Sequence, residues 1–163
     1  MKPVMLATDG SPTAEKATRT AVELARQLGT ELVIVSVWDI PYVGYGAMGF
    51  TNVPVNADFS KLGEEEAAKA LADAAARADE AGVGARTVVL RGFPVEAICA
   101  AAEKFAPQFV VLGSHGWGAV KRTLFGSVST GVLHHAKCPV LVVRGEPVED
   151  EVARSRSREA ALA

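Results

Sequence analysis

The residues of this 163-residue chain whose types and spacing suit chemistry lie in one short region. Leu112-Gly113-Ser114-His115-Gly116 is followed, after nine residues, by Gly126-Ser127-Val128-Ser129. The first group stands where an apolar run ends, and the second where a helical pattern begins. Glycine permits positive φ and lets a ligand approach the main chain closely. The first N–H groups of a helix lack intrahelical partners and carry the positive end of the macrodipole. With the hydroxyls of Ser127 and Ser129 beside them, such a helix start suits a phosphate. Two other glycine loops do not fit. A Walker loop needs Lys and Ser/Thr after its second glycine, but Gly113 and Gly118 are followed by Ala119 and Val120. A dinucleotide fingerprint fails because Gly116-Trp117-Gly118 leads to Lys121 where a third glycine or alanine belongs. The competing reading of the glycines is a tight turn that holds no ligand.

The other candidate side chains are weaker. Asp9 ends the first apolar run and would face the same crevice; it also precedes Gly10-Ser11, where it would serve as a helix cap. His115 would touch phosphate or ribose, or stand in the loop without a role. His134 and His135 follow a helix face with no second ligand set in view, so no metal site is assigned. Lys121 and Arg122 would reach over phosphates or simply be solvated. Serines surround His115, but nothing places a base and an orienting acid beside one of them, so no catalytic residue is assigned. Cys99 and Cys138 fall in apolar runs without CxxC spacing and read as buried, reduced thiols.

The elements that must position these groups follow from periodicity. Five short apolar runs occur at Val4–Thr8, Leu32–Val37, Arg86–Leu90, Phe109–Leu112 and Val140–Val143. Four are nearly continuous, as in strands buried on both faces of a parallel sheet, while the more polar Arg86–Leu90 fits an edge. Helical patterns separate them. Ala14, Ala17, Ala21, Leu24, Ala25 and Leu28 form the first, with Ser11 placed to cap it, Pro12 at its first position and Gly29 after its end. Glu64–Glu80, the Val95–Phe105 pattern and the Val128–Ala136 pattern supply three more. The alternating order predicts a doubly wound parallel sheet with helices on both faces.

Two segments stand outside that order. Residues 38–60 are rich in Gly and Pro and hold Trp38, Tyr42, Tyr45, Phe50 and Phe59, five of the chain's ten aromatics. A connection of that length reads equally as a lid, a partner contact or disorder. Residues 146–163 form a charged, Ala-rich tail after a domain spanning 1–145.

Composition removes several classes. A formal net charge of -2 gives no basic face for nucleic acid. The opening MKPVMLATDG has too short an apolar run for a signal peptide, and no stretch approaches the ~20 apolar residues of a membrane span. A cytoplasmic protein with no membrane partner is expected.

Gly113-x2-Gly116-x9-Gly126-Ser127 resembles the ATP-binding signature of the universal stress protein family. The likeness extends to Leu6-Ala7-Thr8-Asp9-Gly10-Ser11 and to Ala136-Lys137-Cys138-Pro139-Val140-Leu141-Val142-Val143, spanning about residues 2 to 144. The resemblance implies a five-stranded sheet in order 3-2-1-4-5, a homodimer joined along the last strand, and ATP between strands one and four. It further implies that Ala7, Thr8, Asp9 and Val37 border adenine and ribose. Leu112, Gly113, His115 and Gly116 would then line the nucleoside and first phosphates. Gly126, Ser127, Val128 and Ser129 would hold the triphosphate, with Mg²⁺ accompanying it without protein ligands of its own. The implied function is a nucleotide-dependent switch in stress response, acting on an unknown protein partner, with at most slow ATP hydrolysis or autophosphorylation. Two rivals stay open. Some relatives prefer cyclic AMP. ATP-using enzymes of a related fold carry Ser-Gly-Gly-x-Asp-Ser after the first strand, where this chain has Thr8-Asp9-Gly10-Ser11-Pro12-Thr13.

Overall fold

The computed structural model describes residues 1–38, 57–115 and 126–144, with the backbone alone for 57–60. Gly116, the Lys121–Arg122 pair, most of the aromatic segment and the 146–163 tail lie outside the described residues.

Nine elements alternate along the chain: β1 (Val4–Ala7), α1 (Pro12–Leu28), β2 (Leu32–Trp38), α2 (Ala57–Glu80), β3 (Ala85–Arg91), α3 (Pro94–Phe105), β4 (Val110–Gly113), α4 (Ser127–His135) and β5 (Val140–Val143). The strands form one sheet in the order β3-β2-β1-β4-β5, and every pairing is parallel. β1, β2 and β4 sit inside the sheet and are almost wholly buried, which their uninterrupted apolar sequences require. The more polar β3 lies at an edge, as its composition indicated, but β5, whose continuous apolar run suggested burial on both faces, lies at the other edge and is only half-buried.

Two cores flank the sheet. Val4, Leu6, Leu32 and Ile34 point to the face covered by α1 and α2, where Ala17, Ala21, Ala25, Leu71, Ala74 and Ala78 meet them. Met5, Ala7, Val33, Val35, Val110 and Leu112 point to the opposite face, against Ile98, Ala101 and Ala102 of α3 and Val132 of α4. The alternation is the two-residue strand period read on both faces. Each fully buried Leu, Ile or Met contributes about 1.5–3 kcal/mol.

The ends of α1 follow local chemistry. The Ser11 hydroxyl accepts from Ala14 N at 3.2 Å, Pro12 occupies the first turn, and Gly29 closes the helix at φ 60°, a left-handed conformation that glycine adopts without Cβ strain. Ser11 is 2% exposed and also reaches the His115 carbonyl at 3.5 Å. Ser11→Ala is expected to cost about 1–2 kcal/mol, measured as a lower urea midpoint at unchanged slope; an unaltered midpoint would remove the cap assignment.

Two expectations about the long connection need correction. Trp38 is not part of a loop: it ends β2, is 7% exposed, and lies directly on Gly63, where a Cβ would collide with its indole ring. α2 does not begin at Glu64 but at Ala57, so Gly63 is inside the helix. Gly63 is the gap into which the indole packs. Arg91, across the β2–β3 pair, stacks over the same ring at 5.0 Å and pairs with Glu64 at 3.3 Å.

Candidate functional site

The chain runs outward from β1 to β2 and β3, then returns to add β4 and β5 on the other side, so the order reverses between β1 and β4. In open α/β sheets a crevice forms beyond the strand ends at such a point. The register deepens it. Ala7, the last residue of β1, pairs with Val35 and Leu112, while β2 continues three residues farther, to Trp38.

Ala7, Val37, Leu112 and Val128, from β1, β2, β4 and α4, pack together in or against the core on the α3–α4 face. Thr8 and Asp9 follow the end of β1. Thr8 is buried, and its Oγ1 accepts from Gly10 N at 3.2 Å; Asp9 Oδ1 accepts from Ser11 N at 3.0 Å in an exposed turn. Asp9 thus braces the turn before α1, whose N-cap is Ser11 rather than Asp9.

Gly113 ends β4 against the start of α1. A Cβ there would lie 3.0 Å from the Thr13 carbonyl carbon and 3.1 Å from Ala14 N, so backbone packing against α1 favours glycine here. Gly126 differs. Its φ of -72° and ψ of 164° suit any residue, and a Cβ would meet the Ser114 carbonyl oxygen at 3.3 Å.

The start of α4 is electrostatically distinctive. Ser11 caps α1 and Glu15 lies in its first turn; α3 has Glu96 in its first turn; α4 has neither a side-chain cap nor an acidic residue there. Its positive end thus lacks the first-turn carboxylates present in α1 and α3. Ser127 is exposed and Val128 is half-buried.

Ser114 joins these pieces, a role that motif spacing did not reveal because its backbone supplies most of it. Its N–H donates to the Val143 carbonyl at 2.8 Å. Its carbonyl accepts from Gly126 N at 2.7 Å and from the Ser129 hydroxyl at 2.9 Å. Its own hydroxyl lies 3.1 Å from His115 Nδ1, yet Ser114 is only 2% exposed, which suits a positioned strut rather than a nucleophile. The only sequence signal for it was a small hydroxyl residue between two motif glycines.

The remaining candidates stand apart from the crevice. His135 Nδ1 lies 2.8 Å from the Gly131 carbonyl, its own helix, and His134 is exposed. Cys99 and Cys138 are half-buried, less enclosed than the sequence suggested. Burial pushes both thiols above their ordinary value, which favours the protonated, unreactive form. Among the described residues no group of three or more His, Cys, Asp or Glu is arranged to hold a metal. Among them, too, no helix is long and apolar enough to cross a membrane.

A doubly wound α/β domain with a crevice at its switch point is the class of protein that this fold defines. The chain belongs to the universal stress protein family, whose pattern it matches over residues 1–144. It is 35% identical over 144 residues to universal stress protein MJ0531 of Methanocaldococcus jannaschii, covering 88% of this chain and 82% of that protein. It is 33% identical to YxiE of Bacillus subtilis, covering 86% of this chain and 97% of that one. A Mycobacterium tuberculosis relative, 36% identical, is longer, and the match covers 87% of this chain but only 45% of that protein. Among solved structures, a universal stress protein in complex with cAMP is 25% identical with a TM-score of 0.65, covering 87% of this chain and 96% of the other. UspA from Lactobacillus plantarum, also 25% identical, gives 0.72, covering 88% and 98%.

Proposed function

We propose that this chain is a cytoplasmic, ATP-binding switch of the stress response. The observation that carries the reading is the start of α4: neither a side-chain cap nor a first-turn carboxylate is present, and the helix follows β4, one of the two strands between which the sheet order reverses. Ala7, Val37 and Leu112 would floor the base, and Thr8 and Asp9 would border the ribose. Gly113 and His115, with Gly116 beyond the described residues, would line the first phosphates. Gly126, Ser127, Val128 and Ser129 would receive the remaining charge. Mg²⁺ would travel with the phosphates. No base and acid are assigned to activate a nucleophile, so any hydrolysis or self-phosphorylation is expected to be slow.

Cyclic AMP is the second reading, favoured by one observation: a structurally similar relative is described in complex with it. The full triphosphate-type signature favours ATP. Protein purified without added nucleotide, then analysed by mass spectrometry and titrated calorimetrically with each ligand, decides between them. ATP retention and micromolar ATP binding are expected; preference for cyclic AMP would replace the ligand, and binding of neither would end the reading.

We also propose a homodimer through β5. This edge strand is apolar throughout, and Leu141 is 38% exposed, as is characteristic of an edge that needs covering. Nucleotide binding would then alter the surface offered to a further protein partner.

A further inference from the structure

The family resemblance places both Ser127 and Ser129 at the triphosphate, but their surroundings differ. Ser127 is exposed at the first position of α4. Ser129 is 3% exposed, and its Oγ lies 2.9 Å from the Ser114 carbonyl oxygen and 3.0 Å from the Gly126 carbonyl oxygen. A hydroxyl has one hydrogen to donate. With that hydrogen directed at either carbonyl, Ser129 has only lone pairs left for a phosphate oxygen, an unfavourable approach. The Ser114 carbonyl, meanwhile, also receives Gly126 N at 2.7 Å, and Ser114 N is bonded to Val143 at 2.8 Å. The first turn of α4 is therefore fastened through a single residue to the end of β4 and to the edge strand β5.

We infer that Ser129 is a positioning residue that fastens the start of α4 to Ser114, and that phosphate is received by the α4 main-chain amides and the Ser127 hydroxyl. The ligand half of this inference rests on the nucleotide reading above; the fastening does not. Buried hydroxyl-to-carbonyl bonds are worth about 1 kcal/mol, so their loss speeds local opening by about five- to tenfold.

The experiment uses the full chain with Ser127→Ala and Ser129→Ala. In ligand-free protein, residue-resolved hydrogen exchange is expected to show the Gly126 amide exchanging about five- to tenfold faster in Ser129→Ala. It should be unchanged in Ser127→Ala, with β1 amides unchanged in both, and Ser129→Thr should restore the slow rate. Both alanine variants should then weaken ATP binding by roughly three- to tenfold while leaving adenosine binding as it was. Unaltered Gly126 exchange in Ser129→Ala, with ATP binding still weakened, would make Ser129 a direct ligand and overturn the inference. If the unmodified protein takes up neither ATP nor adenosine, the nucleotide reading fails and with it the phosphate assignment, while the exchange rates still decide whether Ser129 holds the helix.

Discussion

Gly126→Val is expected to lower adenine-nucleotide affinity by about 100-fold, or roughly 2.7 kcal/mol, in a protein that still folds. The backbone at 126, with φ -72° and ψ 164°, is ordinary extended geometry that valine adopts readily. Its Cβ would sit 3.3 Å from the Ser114 carbonyl oxygen, 3.6 Å from His115 Cα and 3.8 Å from Ser129 Oγ, tight but tolerable after a small shift. The γ-methyls would stand beside the first amides of α4, where the proposed phosphates must come within hydrogen-bonding distance. Valine is also a poorer N-cap than glycine, which adds up to about 1 kcal/mol of destabilisation. Calorimetric titration beside a thermal melt separates the two effects. Near-native affinity in the variant would remove the start of α4 from the site.

Gly113→Val is expected to act the other way, on stability before binding. The substituted carbon would be pressed to 3.0 Å from the Thr13 carbonyl carbon and 3.1 Å from Ala14 N, and neither backbone atom can rotate away. Relief requires α1 to move off the sheet, against a core in which Ala17, Ala21 and Ala25 are wholly buried. Overpacking of this kind costs about 2–4 kcal/mol, which urea denaturation would register as a large fall in midpoint. A stability within about 0.5 kcal/mol of the unmodified protein would show that the contact is more yielding than its geometry. The two glycines of one motif thus have different reasons to exist, and lost binding in a Gly113 variant would not by itself identify a ligand contact.

Much of the arrangement was legible before any coordinates. The continuous apolar runs of β1, β2 and β4 mark strands covered on both faces, because such residues have nowhere else to be buried. Ser11, Pro12 and Gly29 mark the limits of α1, because capping depends on near neighbours alone. The alternation of strands and helices leads to a parallel sheet, because parallel strands require crossovers. The extent of α2 was not legible. Gly63 lowers helix propensity in a segment already rich in turn-forming residues, and only its contact with Trp38, twenty-five positions earlier, shows why a glycine stands inside the helix.

The candidate site divides along the same line. Residue type and spacing are sufficient to suggest an anion at the start of α4, since unpaired amides and small residues are local properties of the chain. Tertiary structure alone decided that Ala7, Val37, Leu112 and Val128 pack into one core, that Gly113 lies against α1, and that Ser129 turns inward to Ser114. Those outcomes depend on strand register and helix approach, which bring residues far apart in sequence within a few ångströms and which no periodicity within a single segment encodes.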